Sequence, residues 1–264
     1  MIRDTCPWWA PPLLAVQFLT RIPVAGTQAL SADAVRNGLV RAVGWFPLVG
    51  TLVGVVTAAI AVGAAQIWPA FVAVPLALAI EARLTGAFHE DAVADFCDAF
   101  GGGQTPDDVR RIMKDSRIGS YGALGLVLAV TLRGALMIAM LITPSPMVAA
   151  AAIVASATFG RLLVVALMAV VAPAPAGGGL AKDIGSGVTT RQFVCAGLVA
   201  LPGLLAFAVI APARLAVAVI LAAVFILWFR ALLIRRIGGS TGDCLGFSAY
   251  AGQLLLLLAA SAMS

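Results

Sequence analysis

The sequence predicts an all-α fold: one domain over residues 1–264, a polytopic integral membrane bundle of about seven transmembrane helices. Three observations carry this. Of the 264 residues 62% are hydrophobic and 11% are charged, against about 25% charged in a soluble domain. Mean hydropathy is +1.05. Several apolar runs exceed the roughly 20 residues that cross a bilayer as a helix, and none alternates as the strands of a membrane barrel do.

The elements follow in order. The N-terminal MIRDTCPWWAPPLLAVQFLT has a short, proline-bearing apolar stretch, which reads as an interfacial or partly inserted helix rather than a cleavable signal. Spans are expected over 43–67, 71–98, 121–142, 147–172, 192–211 and 214–234, with a last one ending near Ser261. Turns rich in Pro and Ala (WPAF, TPSP, APAR) alternate with loops that hold nearly all the basic residues. Arg36, Arg41, Arg110, Arg111, Lys114, Arg117, Lys182, Arg191, Arg235 and Arg236 fall on one side, and only Arg214 on the other. The positive-inside bias puts the charged loops in the cytoplasm, the N-terminus with them and the C-terminus outside. The net charge of +5 reports this loop charge and not nucleic-acid binding. Cys6, Cys97, Cys195 and Cys244 are far apart with no CxxC, and read as free thiols. There is no internal repeat of the kind that builds an inverted-repeat transporter.

Residues 81–103, EARLTGAFHEDAVADFCDAFGGG, crowd five carboxylates and the only histidine into an otherwise apolar chain. Asp91, Asp95 and Asp98 are spaced by four and three, so a helix puts them on one face. Glu81, ten residues before Asp91, lies on a neighbouring stripe of the same expected helix, and His89 points to a different side. Like charges this close repel in a low-dielectric setting unless a cation, a basic loop or protonation relieves them. Oxygen-only ligands suit a hard cation such as Mg²⁺ better than zinc. A solvated helix end or a cation relay are the other readings of the acids, and a structural hydrogen bond is the other reading of His89.

The next loop, RRIMKDSRIG, brings Arg110, Arg111, Lys114 and Arg117 with Asp115 and Ser116. Basic groups beside acids are what a phosphate ester with bound Mg²⁺ needs, whereas a proton relay needs none of them. A third patch, GGSTGDCLGF, reads as a loop offering Thr241 and Asp243 on the same side. Arg133, Arg161 and Arg230 lie inside or near apolar runs, and such arginines face a partner or a polar cavity. Arg161 reads as a partner for substrate phosphate or as a structural salt link.

These three blocks, LTGAFHEDAVADFCDAFGGG, RRIMKDSRIGSYGALGL and GGSTGDCLGF, together with the early FLTRIPV and GWFPLVG, closely resemble the cobalamin synthase family, the adenosylcobinamide-GDP ribazoletransferases of vitamin B12 biosynthesis. The resemblance runs through nearly the whole chain. It departs at Ala92 and Val93, where the family usually has Gly-Leu, and at Cys97, where a small residue is common. It implies a membrane enzyme, expected in the bacterial inner membrane, and the positive-inside bias turns its site to the cytoplasm. Such enzymes join adenosylcobinamide-GDP to α-ribazole or its 5′-phosphate, release GMP and require Mg²⁺. Carried over by motif, the site residues are His89, Asp91, Asp95, Asp98, Lys114, Asp115, Ser116, Arg117, Thr241 and Asp243. Expected metal ligands are Asp91, Asp95 and Asp98 with Glu81; Lys114 and Arg117 hold phosphate; His89 or a carboxylate takes the hydroxyl proton. The expected partners are the two substrates and the lipid bilayer, with no nucleic acid, and self-association is left open.

Two rivals remain at this stage. A CDP-alcohol phosphotransferase also spaces Asp residues on a membrane helix around Mg²⁺, but its Asp-Gly and Ala-Arg pattern is replaced here by Ala-Asp-Phe-Cys. A cation- or proton-coupled permease would spread its acids over several spans, and the third to sixth spans hold none.

Overall fold

The computed structural model describes residues 5–142, 145–175 and 188–262. Lys182 and Asp183 lie outside the described residues. Among the described residues eleven α-helices follow one another: α1 Ala10–Leu19, α2 Ala32–Ala42, α3 Phe46–Ala64, α4 Ala70–Thr85, α5 Phe88–Gly102, α6 Pro106–Ile112, α7 Ser120–Leu141, α8 Pro146–Val170, α9 Thr190–Ile210, α10 Pro212–Ile237 and α11 Gly242–Ser261. No strand occurs among the described residues, apart from an isolated bridge between Pro173 and Ser240. Among the described residues six helical stretches are long and apolar enough to cross a membrane, or seven if the bent pair α4 and α5 forms one span.

Helix α8 is the centre. Of its most apolar window 72% is buried, against 22% for α7, α9 and α10. Small residues let neighbours approach it closely, which is how helices associate where lipid removes the hydrophobic drive. Gly50 of α3 sits on the Ala157 carbonyl of α8, and Gly160 of α8 on the Ala249 carbonyl of α11, each too close for a Cβ. The peripheral helices turn large apolar residues outward, among them Leu124, Val127 and Leu128 on α7 and Leu201, Leu205 and Val209 on α9. That outer surface matches hydrocarbon, and the protein is an integral membrane helical bundle.

Three departures from the sequence reading bear on the site. The first span begins at Ala32, because Ser31 caps α2 by accepting from the Ala34 N–H at 3.2 Å, and a short 3₁₀ turn carries α2 into α3. The GGSTGDC stretch is not all loop: Thr241 caps α11, and Asp243 is in its first turn. The expected single span over 71–98 is broken, with α4 and α5 meeting at 90°. The break is at Gly86 (φ 72°) and Ala87 (φ 54°), both left-handed, which ends one helix and starts the next. Broken helices persist at membrane depth only where the protein itself satisfies the freed backbone groups; here the Ala87 N–H donates to the Ala82 carbonyl at 2.8 Å, and the Arg21 N–H to the Leu84 carbonyl at 2.7 Å.

Candidate active site

The break divides the acids into two groups. Glu81 ends up on α4, pointing into the bundle. Its carboxylate accepts from Arg133 Nη2 at 2.9 and 2.7 Å and from the Thr57 hydroxyl at 2.8 Å. Both side chains of the Glu81–Arg133 pair are almost fully buried, at 3% and 2% exposed. A carboxylate this fully engaged with a guanidinium is not a cation ligand, so Glu81 leaves the expected metal set. Glu90 joins the same group through Arg133 Nη1 at 3.8 Å.

His89 belongs with this buried group too. A residue two positions from Asp91 is turned roughly 200° around a helix from it. His89 Nδ1 lies 3.4 Å from Arg161 Nη2 inside the bundle. A guanidinium only donates, so Nδ1 accepts and the imidazole is neutral. His89, expected as a candidate base, and Arg161, expected to bind substrate, therefore face each other and not the Asp stripe. Arg161 takes the structural alternative. Glu90 and Tyr250, also of this group, were missed by sequence reasoning. Their signal was weak: single polar residues inside helices, with Tyr250 stacked 5.6 Å under the Arg133 guanidinium.

The second group is the stripe. Asp91, Asp95 and Asp98 share one face of α5, and Asp243 of α11 comes within electrostatic reach of Asp91 and Asp95. Close packing of α5 on α11 makes this possible, since Gly246 leaves no room for a Cβ above Ala92. Asp98 has a distinct task. Its Oδ2 accepts from the Gly119 N–H at 2.6 Å and its Oδ1 from the Gly122 N–H at 2.7 Å. It thus binds the positive end of α7, where unpaired N–H groups and the helix dipole favour an anion. Gly122 is required there, because a methyl group would overlap the carboxylate. Asp91 and Asp95 have no hydrogen-bond or ion-pair partner among the described residues, which leaves their oxygens available.

The basic loop is joined to this stripe at both ends. Gly119 holds its end at Asp98, and the Thr241 hydroxyl donates to Met113 Sδ at 3.0 Å. Thr241 also accepts the Cys244 N–H at 3.3 Å, so the hydroxyl expected to bind substrate is engaged in capping α11. Lys114, Ser116 and Arg117 are exposed. Arg117 forks onto Asp115, with Nη2 to Oδ2 at 2.7 Å and Nε to Oδ1 at 3.0 Å. The Arg117 side chain, then its backbone N–H, pull the Asp115 carboxyl down to about 2. Arg110 and Arg111 pair with Asp107 and Asp108 on α6 at 2.8 Å each. Lys114 is left with no side-chain partner among the described residues.

As they stand, no three His, Cys, Asp or Glu side chains among the described residues form a closed metal cage. The donor type nevertheless suits a hard cation: Asp91, Asp95 and Asp243 offer oxygen only, with no basic side chain among the described residues set against them.

Three blocks distant in sequence, the acid helix, the basic loop and the start of α11, thus form one surface. The cobalamin-5-phosphate synthase family model matches residues 11–261. A Ralstonia nicotianae protein named adenosylcobinamide-GDP ribazoletransferase is 41% identical over 264 residues, covering 97% of this chain and 95% of its own. Proteins of the same name from Ralstonia pickettii and Leptothrix cholodnii are each 38% identical, covering 94% of this chain and 94% and 91% of their own. No solved structure matches the chain.

Proposed function

The chain belongs to the cobalamin-5-phosphate synthase family, and from that premise we propose that it is an adenosylcobinamide-GDP ribazoletransferase. It joins adenosylcobinamide-GDP to α-ribazole or its 5′-phosphate and releases GMP, a late step of cobalamin biosynthesis. The observation that carries this reading is the joining of an uncompensated acid stripe to a basic loop through Asp98 and Gly119, 2.6 Å apart.

The ribose hydroxyl oxygen attacks the phosphorus attached to cobinamide. The bond from that phosphorus to the GMP oxygen breaks, and GMP leaves with the electron pair. Lys114, without a side-chain partner among the described residues, takes a phosphate oxygen, and Arg117 does so while Asp115 holds its guanidinium in place. With His89 turned inward, a carboxylate of the stripe accepts the hydroxyl proton. Mg²⁺, when bound, supplies charge neutralisation at the diphosphate. Asp91, Asp95 and Asp243 are the residues that would hold it, since both oxygens of Asp98 already accept backbone N–H groups. The clustering of Lys and Arg in the loops on one side of the spans favours a cytoplasm-facing site in a bacterial inner membrane.

The test is direct. The detergent-purified protein is incubated with adenosylcobinamide-GDP, α-ribazole and MgCl₂, with and without EDTA, and GMP and corrinoid products are separated by chromatography. Product that forms only without EDTA supports the reading. A folded sample that makes none overturns it.

A further inference from the structure

The stripe on α5 does not begin at Asp91. Phe88, Asp91, Asp95 and Asp98 are spaced by three, four and three, so one face of the helix carries all four. Phe88 is 39% exposed, and Asp91 is exposed beside it. An unpartnered carboxylate is costly against hydrocarbon, so Asp91 turns this face toward water. Phe88 is therefore an apolar ring presented to an aqueous surface.

The end of α1 and the segment after it hold this ring and add a cation. Phe18 meets Phe88 in a T-shaped contact, with ring centroids 5.5 Å apart and planes at 72°. Arg21, of the FLTRIPV stretch, donates its backbone N–H to the Leu84 carbonyl at 2.7 Å. Its side chain crosses Gly86 so closely that a Cβ there would overlap Nε. The guanidinium is thereby laid over the break between α4 and α5, two residues before Phe88. It is exposed and has no hydrogen-bond or ion-pair partner among the described residues.

The stripe thus has two ends of different chemistry, about 15 Å apart along ten residues of helix. Lys114 and Arg117 stand at the Asp98 end, an aromatic ring and one guanidinium at the other. In phosphoryl transfer the attacking and leaving oxygens lie roughly in line through phosphorus. With the diphosphate and GMP held over the basic loop, the acceptor nucleoside enters from the opposite end, past Asp91. A flat heterocyclic base stacks on an exposed ring, and a phosphate monoester pairs with a guanidinium fork.

Resting on the transferase reading, we propose that Phe88 and Arg21 form the acceptor subsite. Phe88 stacks on the base of α-ribazole, and Arg21 binds the 5′-phosphate when the acceptor carries one.

The experiment measures steady-state GMP release by the detergent-purified full-length protein. Each acceptor is varied at saturating adenosylcobinamide-GDP, and the donor at saturating acceptor. Arg21→Gln keeps a side chain across Gly86 and removes the charge. It should raise KM for α-ribazole 5′-phosphate about tenfold or more, with KM for α-ribazole and for the donor within about twofold of wild type, and Arg21→Lys should recover most of the loss. Phe88→Leu keeps an apolar contact with Phe18 and removes the ring. It should raise KM for both acceptors about fivefold or more and leave the donor KM within about twofold, and Phe88→Tyr should restore both. A merely structural role, or anchoring of these residues at the membrane surface, would instead lower kcat alone or raise the donor and acceptor KM values together. Either pattern, or unchanged acceptor KM values in both variants, overturns the proposal. A wild-type protein that turns over beside such variants loses the subsite alone, whereas a folded wild-type protein that releases no GMP overturns the transferase reading and the subsite with it.

Discussion

Asp98→Asn separates a positioning carboxylate from a metal-binding one. Asp98 accepts two backbone N–H groups at the start of α7, one on each oxygen, at 2.6 and 2.7 Å. Asn keeps the shape but has one carbonyl oxygen and one NH₂, so one of the two N–H groups faces a donor. A hydrogen bond to a charged acceptor contributes about 1.5–3 kcal/mol, and the lost charge at the helix end removes about 0.3–1 kcal/mol more. The expected local cost is therefore about 2–4 kcal/mol, roughly a factor of 30–700 in the equilibrium holding the basic loop against the stripe. The assay is GMP release followed across a Mg²⁺ titration, for Asp98→Asn beside Asp95→Asn. Asp98→Asn should lower kcat, because the loop with Lys114 is out of place more of the time, while the Mg²⁺ concentration for half-maximal rate stays within about twofold. Asp95→Asn should instead raise that concentration tenfold or more, within the range seen when groups around metals are altered. If Asp98→Asn shifts the Mg²⁺ requirement as Asp95→Asn does, the division of labour along the stripe is wrong.

Three further outcomes follow from particular contacts. Glu81→Ala leaves Arg133 buried with Glu90 at 3.8 Å as its remaining ion partner; breaking a buried pair costs about 3–5 kcal/mol, read as a large fall in the unfolding midpoint in detergent. Ala87→Gly removes a Cβ from a residue at φ 54° and should stabilise the protein by about 0.5–1 kcal/mol, since the relief of left-handed strain exceeds the added chain entropy of glycine; an unchanged or lower midpoint would show the break to be unstrained. Arg117→Ala should return the Asp115 carboxyl from about 2 toward 3.8, measured by carboxyl ¹³C titration. The sign follows from linkage: a depressed carboxyl pKa means the Arg117–Asp115 fork is intact above the ordinary value and is lost as pH falls through about 2, so the wild-type loop should show no titration of this pair between pH 4 and 8.

The sequence made most of the spans legible because apolar length alone decides them. Residues 121–142 and 192–211 were expected and Ser120–Leu141 and Thr190–Ile210 are found. The break was not legible. Between Glu81 and Asp98 the only warning is Gly86, and a lone glycine inside an apolar helix is common in membranes; the residue that completes the break, Ala87, is a strong helix former held at positive φ by its surroundings. The start of α2 was hidden for the opposite reason, since Arg36, Asn37 and Arg41 lower the hydropathy of a helix that continues into the membrane.

The acids show most clearly where local reading stops. Glu81, Asp95 and Asp98 carry the same chemistry within eighteen positions, and local spacing treats them as one set. Their fates are decided by residues far along the chain. Arg133, 52 positions from Glu81, withdraws that carboxylate into the core. The N–H groups of Gly119 and Gly122, 21 and 24 positions from Asp98, turn it into the anchor of the basic loop. Asp95 stays available because no such donor among the described residues reaches it, and Asp243 approaches it from the opposite end of the sequence. A cluster of like charges in a membrane helix therefore marks where a site is, while the long-range donor each charge meets determines which of them can act on a ligand.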